Sequence, residues 1–336
     1  MTPLVIDTHI DIRWPEPPDW LSETKQCVDL PKMRQGGMSA AVFIAYVGQG
    51  VRDHAGHTAA AARADAMLRH IAARADGTTT RFCTTPDAVE ASFAAGIPAV
   101  LSAVENGYAM GHDLGRIADW RRLGAIYLTL THDGHNALSD SARPRKNLGD
   151  GESEHGGLSG LGRAAIAEMN RVGLMLDCSH VSKAGMMQAA ELSRTPIAVT
   201  HTACAALCAH PRNLDDEQLD MIRTVGGIAQ ITAVASFLKP AGANGVTQAS
   251  VADLVDHVDH AVQRIGLDHV GISSDFDGGG HVVGWAHAGE TQNITTELAR
   301  RGYGPREIEL LWSGNFLRVW RQVLRGAALP GGFSEP

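Results

Sequence analysis

Short unbroken apolar runs recur along the chain, and stretches with helical spacing separate them. The runs are LVIDTHID (4–11), AAVFIAYV (40–47), IPAVLSAVENG (97–107), AIYLTLTH (125–132), LMLDCSH (174–180), PIAVTH (196–201), GIAQITAV (227–234) and HVGISSDFDG (269–278). Continuous apolar residues, rather than alternating ones, are expected of parallel strands buried on both faces. Between them, HTAAAARADAMLRHIAARA (57–75) is rich in helix formers. LSGLGRAAIAEMNRVG (158–173) ends on a glycine C-cap, and SKAGMMQAAELSR (182–194) opens on a serine N-cap. SVADLVDHVDHAVQRIG (250–266) repeats apolar residues at three- and four-residue spacing, with His257 and His260 expected on its solvent face. GPREIELLWSGNFLRVWRQVL (304–324) supplies a final amphipathic helix.

Eight strands alternating with helices predict an α/β fold, one TIM-like (β/α)8 barrel with a C-terminal helix, spanning 1–336 as a single domain. The alternative, a doubly wound sheet, lacks its G-x-G-x-x-G turn after the first strand. The less regular stretches are 12–38, 140–160 and 239–249. The middle one, DSARPRKNLGDGESEHGGLSG, follows the fourth strand and is placed to lie over the barrel mouth.

Composition narrows the function classes. The chain has 336 residues, 44% of them hydrophobic, enough for a large core. A net charge of −8 without a Lys/Arg cluster argues against nucleic acid or a polybasic membrane contact. Five scattered cysteines read as a reduced intracellular protein. Cys204 and Cys208 have a metal-like spacing, but no second pair completes a site. The N-terminus shows no signal peptide, and the closing GAALPGGFSEP has no hydrophobic tail for a lipid anchor. The expectation is a soluble, cytoplasmic protein.

The residues with metal or acid–base chemistry fall at the C-terminal ends of the predicted strands. The first strand ends with His9 and Asp11, the third with Glu105, the fourth with His132. The fifth ends with His180, the sixth with His201, the eighth with Asp275 and Asp277. In a barrel those ends share one face. A lone strand-end histidine is ordinarily structural and a lone aspartate ordinarily caps a turn, the reading we adopt for Asp277 in DFDGGG. Four histidines and three carboxylates on one rim would repel and desolvate one another without a cation. Imidazole with carboxylate suits Zn2+ and, less well, Mn2+ or Fe2+. His9 and Asp11, two apart on a strand, face one side and can reach one ion. Glu105 has two oxygens and can bridge two ions; His180 and His201, on neighbouring strands, can hold the second.

At this point the chain resembles the membrane (renal) dipeptidase family of binuclear zinc peptidases, within the amidohydrolase-type barrels. The resemblance covers nearly the whole chain through DTHID (7–11), DLPKMRQGG (29–37), VENG (104–107), YLTLTHDGHN (127–136), GLSGLGRAAIAEMNRVGLMLDCSHVS (157–182), VTHTACAALCAHPRN (199–213), VGISSDFDGG (270–279) and GNFLRVW (314–320). It implies that His9 and Asp11 bind one zinc, that His180 and His201 bind the other, and that Glu105 bridges them. It further implies that His132 binds the substrate carbonyl oxygen, that Arg212 holds the substrate's C-terminal carboxylate, and that Asp275 is the acid–base residue. Without the resemblance, Arg212 would read as a surface-loop arginine. The implied reaction is hydrolysis of a dipeptide by water activated between two Zn2+ ions, with L-Xaa-D-Xaa substrates such as L-Ala-D-Ala as the first expectation. Other carboxylate-bearing amides, lactams or N-acyl amino acids are the alternative. A homodimer is left open.

Two departures matter. The first motif is Asp-Thr-His-Ile-Asp where many relatives have Gly-His-Asn-Asp, although His9 and Asp11 survive. The seventh strand reads AQITAV where animal relatives place an aromatic near the substrate, which puts side-chain selectivity in doubt. The fourth strand ends without the lysine that many other amidohydrolase-type barrels carboxylate, so the bridging role falls to Glu105.

Overall fold

A computed structural model describes residues 3–242 and 245–327. The principal strands are β1 (Ile6–Asp11), β2 (Ala40–Tyr46), β3 (Ala99–Glu105), β4 (Ala125–Thr129), β5 (Met175–Asp177), β6 (Ala198–Thr202), β7 (Ile228–Ile231) and β8 (Val270–Ile272). They pair in parallel in sequence order, and a two-residue strand, Arg81–Phe82, adds beside the start of β3. Past Ile272 the chain keeps hydrogen-bonding along β1. Asp275 N donates to His9 O at 3.0 Å, and Asp11 N donates to Phe276 O at 2.9 Å. The result is a nearly closed barrel of eight parallel strands with helices between them, which excludes the open doubly wound sheet.

The alternation of side chains along each strand divides the core. On β2, Ala40, Val42 and Ile44 join one buried cluster with Leu101 and Tyr127, while Ala41, Phe43 and Ala45 join the other, which faces the helices. The principal helices are α1 (Leu30–Gly36), α2 (His54–Ala72), α3 (Pro86–Ala94), α4 (Gly115–Arg122), α5 (Gly160–Val172), α6 (Lys183–Leu192), α7 (Asp216–Thr224), α8 (Val251–Ile265), α9 (Gln292–Arg300) and α10 (Asn315–Gly326). Their starts are chemical: Asp29, Ser159 and Ser250 each accept a hydrogen bond from a backbone N–H of the first turn. The expected C-terminal helix is present. It begins at Pro305, passes through a π turn at Leu310–Gly314 and continues as α10, which lays Phe316, Trp320 and Val323 on the inner cluster. Asn315 Nδ2 donates to Val270 O at 2.8 Å, so α10 sits at the end where β8 begins, opposite the mouth.

One helix face was misassigned by periodicity. His257 is not on the solvent face of α8: it is 1% exposed, its Nδ1 accepting from Cys204 N at 3.0 Å and its Nε2 pairing with Leu238 O at 3.0 Å. His260 is partly exposed and pairs with Asp216. Cys204 and Cys208 lie in the packed interior with their thiols turned to the carbonyls of His257 and Ser236. Among the described residues no helix is long and apolar enough to cross a membrane. The terminal stretch read for an anchor signal lies, from residue 328, outside the described residues, as do 243–244 of the irregular 239–249.

Candidate active site

Parallel register brings the strand ends to one level. Tyr46 pairs with Glu105, Glu105 with Thr129, and Thr129 with Asp177. At that level Glu105, 3% exposed, sits among three imidazoles. Its Oε1 lies 3.2 Å from His180 Nε2 and 3.4 Å from His201 Nε2, and its Oε2 lies 3.6 Å from His9 Nε2. Burial disfavours its charge, but His9 and the hydrogen bonds from the imidazoles outweigh burial and hold the carboxyl well below its usual range.

Each of these imidazoles is held from behind. His9 Nδ1 meets Tyr127 Oη at 2.9 Å, His180 Nδ1 meets Asp133 Oδ1 at 3.3 Å, and His201 Nδ1 meets Thr200 Oγ1 at 3.0 Å. A partner on Nδ1 that leaves Nε2 for the centre is the arrangement of metal-binding histidines. Behind the site Asp177 is wholly buried. It accepts from Thr129 Oγ1 (2.6 Å), Thr200 Oγ1 (2.9 Å) and Ser179 Oγ (2.9 Å), tying the ends of β4, β5 and β6 together. His180 takes a left-handed φ of 65°. Its carbonyl accepts from Ala142 N (2.8 Å) and Ser141 Oγ (3.3 Å), so the long loop after β4 clamps the residue in a conformation that costs about 1 kcal/mol or more.

Asp11 and Asp275 lie close together beside Gly278, and both act on His9. A Cβ on Gly278 would fall 2.4 Å from Asp275 Oδ1 and 2.8 Å from Asp11 Oδ2, so the absence of a side chain there makes room for both carboxylates. Burial and then Glu105 push Asp11 well above its ordinary value. Burial raises Asp275 to about 6, with His9 opposing and Glu105 adding. His9 is raised to about 9, because Glu105, Asp275 and Asp11 together overcome the opposing effect of burial.

The donor set fits metal ions. Asp11 Oδ1 is buried without a hydrogen-bond partner. Among the described residues no lysine or arginine comes within 4.0 Å of Asp11, Glu105 or Asp275. Two triads have ligand atoms within 4.8 Å of one another: His9, Glu105 and His201, and Glu105, His132 and His180. Grouped instead by the Glu105 oxygen they face, His180 and His201 fall together and His9 stands on the other side.

His132 and Arg212 complete the mouth. The His132 ring lies 4.1 Å from that of His180, tilted by 34°, and burial followed by His180 lowers it to about 3, so it is neutral. Arg212 is no surface arginine: it is 4% exposed, donates from Nη2 to His201 O at 3.2 Å and lies 5.4 Å over the Phe237 ring. Burial lowers it to about 10, which leaves it charged.

A family model for membrane dipeptidases, peptidase family M19, matches residues 2–328. The chain belongs to this family. Dipeptidase verJ of Clonostachys rogersoniana is 37% identical over 232 residues, 69% of this chain and 57% of that protein. Dipeptidase tcpJ of Claviceps purpurea is 35% identical over 70% of this chain and 54% of that protein. The chain thus spans little more than half the length of these curated relatives. Among solved structures, the probable dipeptidase PvdM from Pseudomonas aeruginosa superposes with a TM-score of 0.89 at 26% identity, covering 97% of this chain and 96% of that one. A metallo peptidase from Rhodobacter sphaeroides, liganded with a phosphinate mimic of the dipeptide L-Ala-D-Ala, gives 0.82 at 26% identity, covering 96% and 100%.

In this M19 chain the eight residues singled out from sequence converge on one mouth. Sequence reasoning missed the residues that hold them: Asp133, Tyr127, Thr200 and Asp177. Asp133 and Tyr127 lie inside the quoted YLTLTHDGHN, but nothing in their spacing marks them. Asp277 adds more than a turn, since its carboxylate accepts from Cys27 N at 3.0 Å and ties the segment after β1 to the end of β8. The loop at 140–160 is organised by Asp140, which accepts from the N–H groups of Glu154, His155 and Gly157, and it sends Arg143 and Arg145 to Asp133.

Proposed function

We propose that the protein is a metal-dependent dipeptidase whose centre is organised by Glu105. The observation that carries this reading is the division of the Glu105 carboxylate, Oε2 toward His9 and Oε1 toward His180 and His201, each imidazole being held by its other nitrogen. In this reading His9 and Asp11 would hold one Zn2+ ion and His180 and His201 a second, with Glu105 common to both. Such ions, when bound, bring the pKa of water toward neutrality and polarise a carbonyl.

The chain's own groups do the rest. Asp275 accepts at its carboxylate a proton from the attacking water as the new C–O bond forms, and returns it to the amine nitrogen as the C–N bond breaks. His132, neutral in its buried position, donates an N–H to the substrate carbonyl oxygen as charge develops there. Arg212 pairs with the substrate's free carboxylate and so favours short peptides that end at the site. The Rhodobacter structure with its L-Ala-D-Ala mimic supports L-Xaa-D-Xaa dipeptides as the substrates to try first.

Glu105→Gln tests this directly, because it keeps the shape of the side chain and removes the charge that both halves share. We expect lower metal content and loss of L-Ala-D-Ala hydrolysis together. A variant with full metal content and the parent's rate would overturn the assignment.

A further inference from the structure

The outer wall of the barrel carries a second group of polar atoms without partners. Just past α2, Arg74 is 8% exposed, with its guanidinium 4.9 Å from the ring of Phe43 and 5.5 Å from that of Trp20. Among the described residues its side chain makes no hydrogen bond and has no carboxylate within 4.0 Å, and its Nε is buried without a partner. The nearest acids are engaged elsewhere. Asp19 accepts from Leu21 N and Ser22 Oγ, and Asp277 accepts from Cys27 N. Burial lowers Arg74 only to about 10, so it stays charged. An unpaired charge is among the most costly groups a fold can bury, and ring faces offset only part of that cost.

Arg74 also lines a cavity of about 320 Å3 together with Pro17, Pro18, Asp19, Trp20, Leu21 and His70, the Asp19 carboxylate being taken up there by Leu21 N and Ser22 Oγ. Two further nitrogens of this lining, His70 Nε2 and Trp20 Nε1, are buried and unpartnered. A cation, two spare ring nitrogens and a rim that is apolar at Pro17, Pro18 and Leu21, with Asp19 already hydrogen-bonded, are the components of a site for an anion with an apolar body. Phe43 packs in the helix-facing cluster of β2, whereas Tyr46 turns to His132 at the mouth, so this cavity is separate from the metal centre.

We propose that the cavity binds an organic carboxylate with a short apolar tail, its carboxylate on Arg74 and its tail against Pro17, Pro18 and Leu21. The test is thermal unfolding of the protein titrated with butyrate, with inorganic phosphate and chloride at equal ionic strength as controls for charge alone. Butyrate should raise the midpoint saturably where the controls do not. Arg74→Met, which fills the space between the rings without charge, should weaken butyrate about tenfold or more. The indole N–H resonance of Trp20, assigned with Trp20→Phe, should shift during the titration; this reading needs only the folded parent. An unshifted indole, no saturable effect, an equal effect of phosphate, or the same response in Arg74→Met (binding elsewhere, including beside Arg212) would each overturn the proposal.

Discussion

Asp133→Asn should loosen the metal site without altering any ligand. Asp133 is 8% exposed on its side chain. Its Oδ1 faces His180 Nδ1 at 3.3 Å, and its Oδ2 faces Arg143 Nη1 at 3.3 Å and Arg145 Nη1 at 3.5 Å. Burial opposes its ionisation, but the His180 hydrogen bond and the neighbouring positive groups hold it at about 2, so it is a carboxylate at neutral pH. It can therefore accept on both sides, and that fixes the proton of His180 on Nδ1. An asparagine cannot do both. With its oxygen turned to the two arginines, its NH2 faces Nδ1 and favours the tautomer with the proton on Nε2, the atom that faces Glu105. Loss of such an outer partner typically costs about 10–100-fold in metal affinity, or ~1.4–2.7 kcal/mol. Competition of zinc against a chromophoric chelator, parent beside variant, reads that difference without any catalytic assay. Arg143→Gln should have a smaller effect, because Arg145 still orients the carboxylate. Parent-like zinc affinity in Asp133→Asn would refute the reasoning.

Gly278→Ala places a Cβ against Asp275 and Asp11. It should lower dipeptide turnover about a hundredfold with little change in unfolding midpoint, measured by steady-state kinetics and circular dichroism. Asp29→Ala removes the cap of α1 and the acceptor for Thr24 N and Thr24 Oγ1. It should cost about 2–3 kcal/mol in a urea titration, and a loss under 0.5 kcal/mol would be too small for those bonds. Glu297 is held at about 2, below the ordinary 4.5, by Arg300, with burial opposing and Arg301 adding. A depressed carboxyl stabilises fully above its unfolded value, and the contribution fades as pH falls from about 4.5 toward 2. The stability gap between parent and Glu297→Gln should therefore close across that window in acid-titrated unfolding curves.

The barrel was legible because parallel strands buried on both faces leave continuous apolar runs, and AAVFIAYV and AIYLTLTH begin where β2 and β4 begin. Regular pairing ends sooner than the runs do: HVGISSDFDG is ladder only over Val270–Ile272, after which the chain turns to hydrogen-bond with β1 and places Asp275. α1 was readable in principle from Asp29 followed by Leu30-Pro31, an N-cap with proline in the first turn, although 12–38 scanned as irregular. His257 was not readable, since its burial depends on Cys204 and Leu238, far away in sequence. The same holds for the supports of the site. A histidine at a strand end announces itself by being out of place in an apolar run, whereas Asp133 after His132 resembles any turn acid until His180 is folded against it.

The most direct measurement is the release of free amino acids from L-Ala-D-Ala and L-Ala-L-Ala by zinc-loaded protein, with Asp275→Asn alongside. The account predicts hydrolysis by the parent and a fall of about 10²–10⁴-fold in the variant. The ratio of L,D to L,L cleavage would then set the stereochemical preference. Failure of the fully metal-loaded parent to cleave either dipeptide, or an undiminished rate in Asp275→Asn, would contradict it.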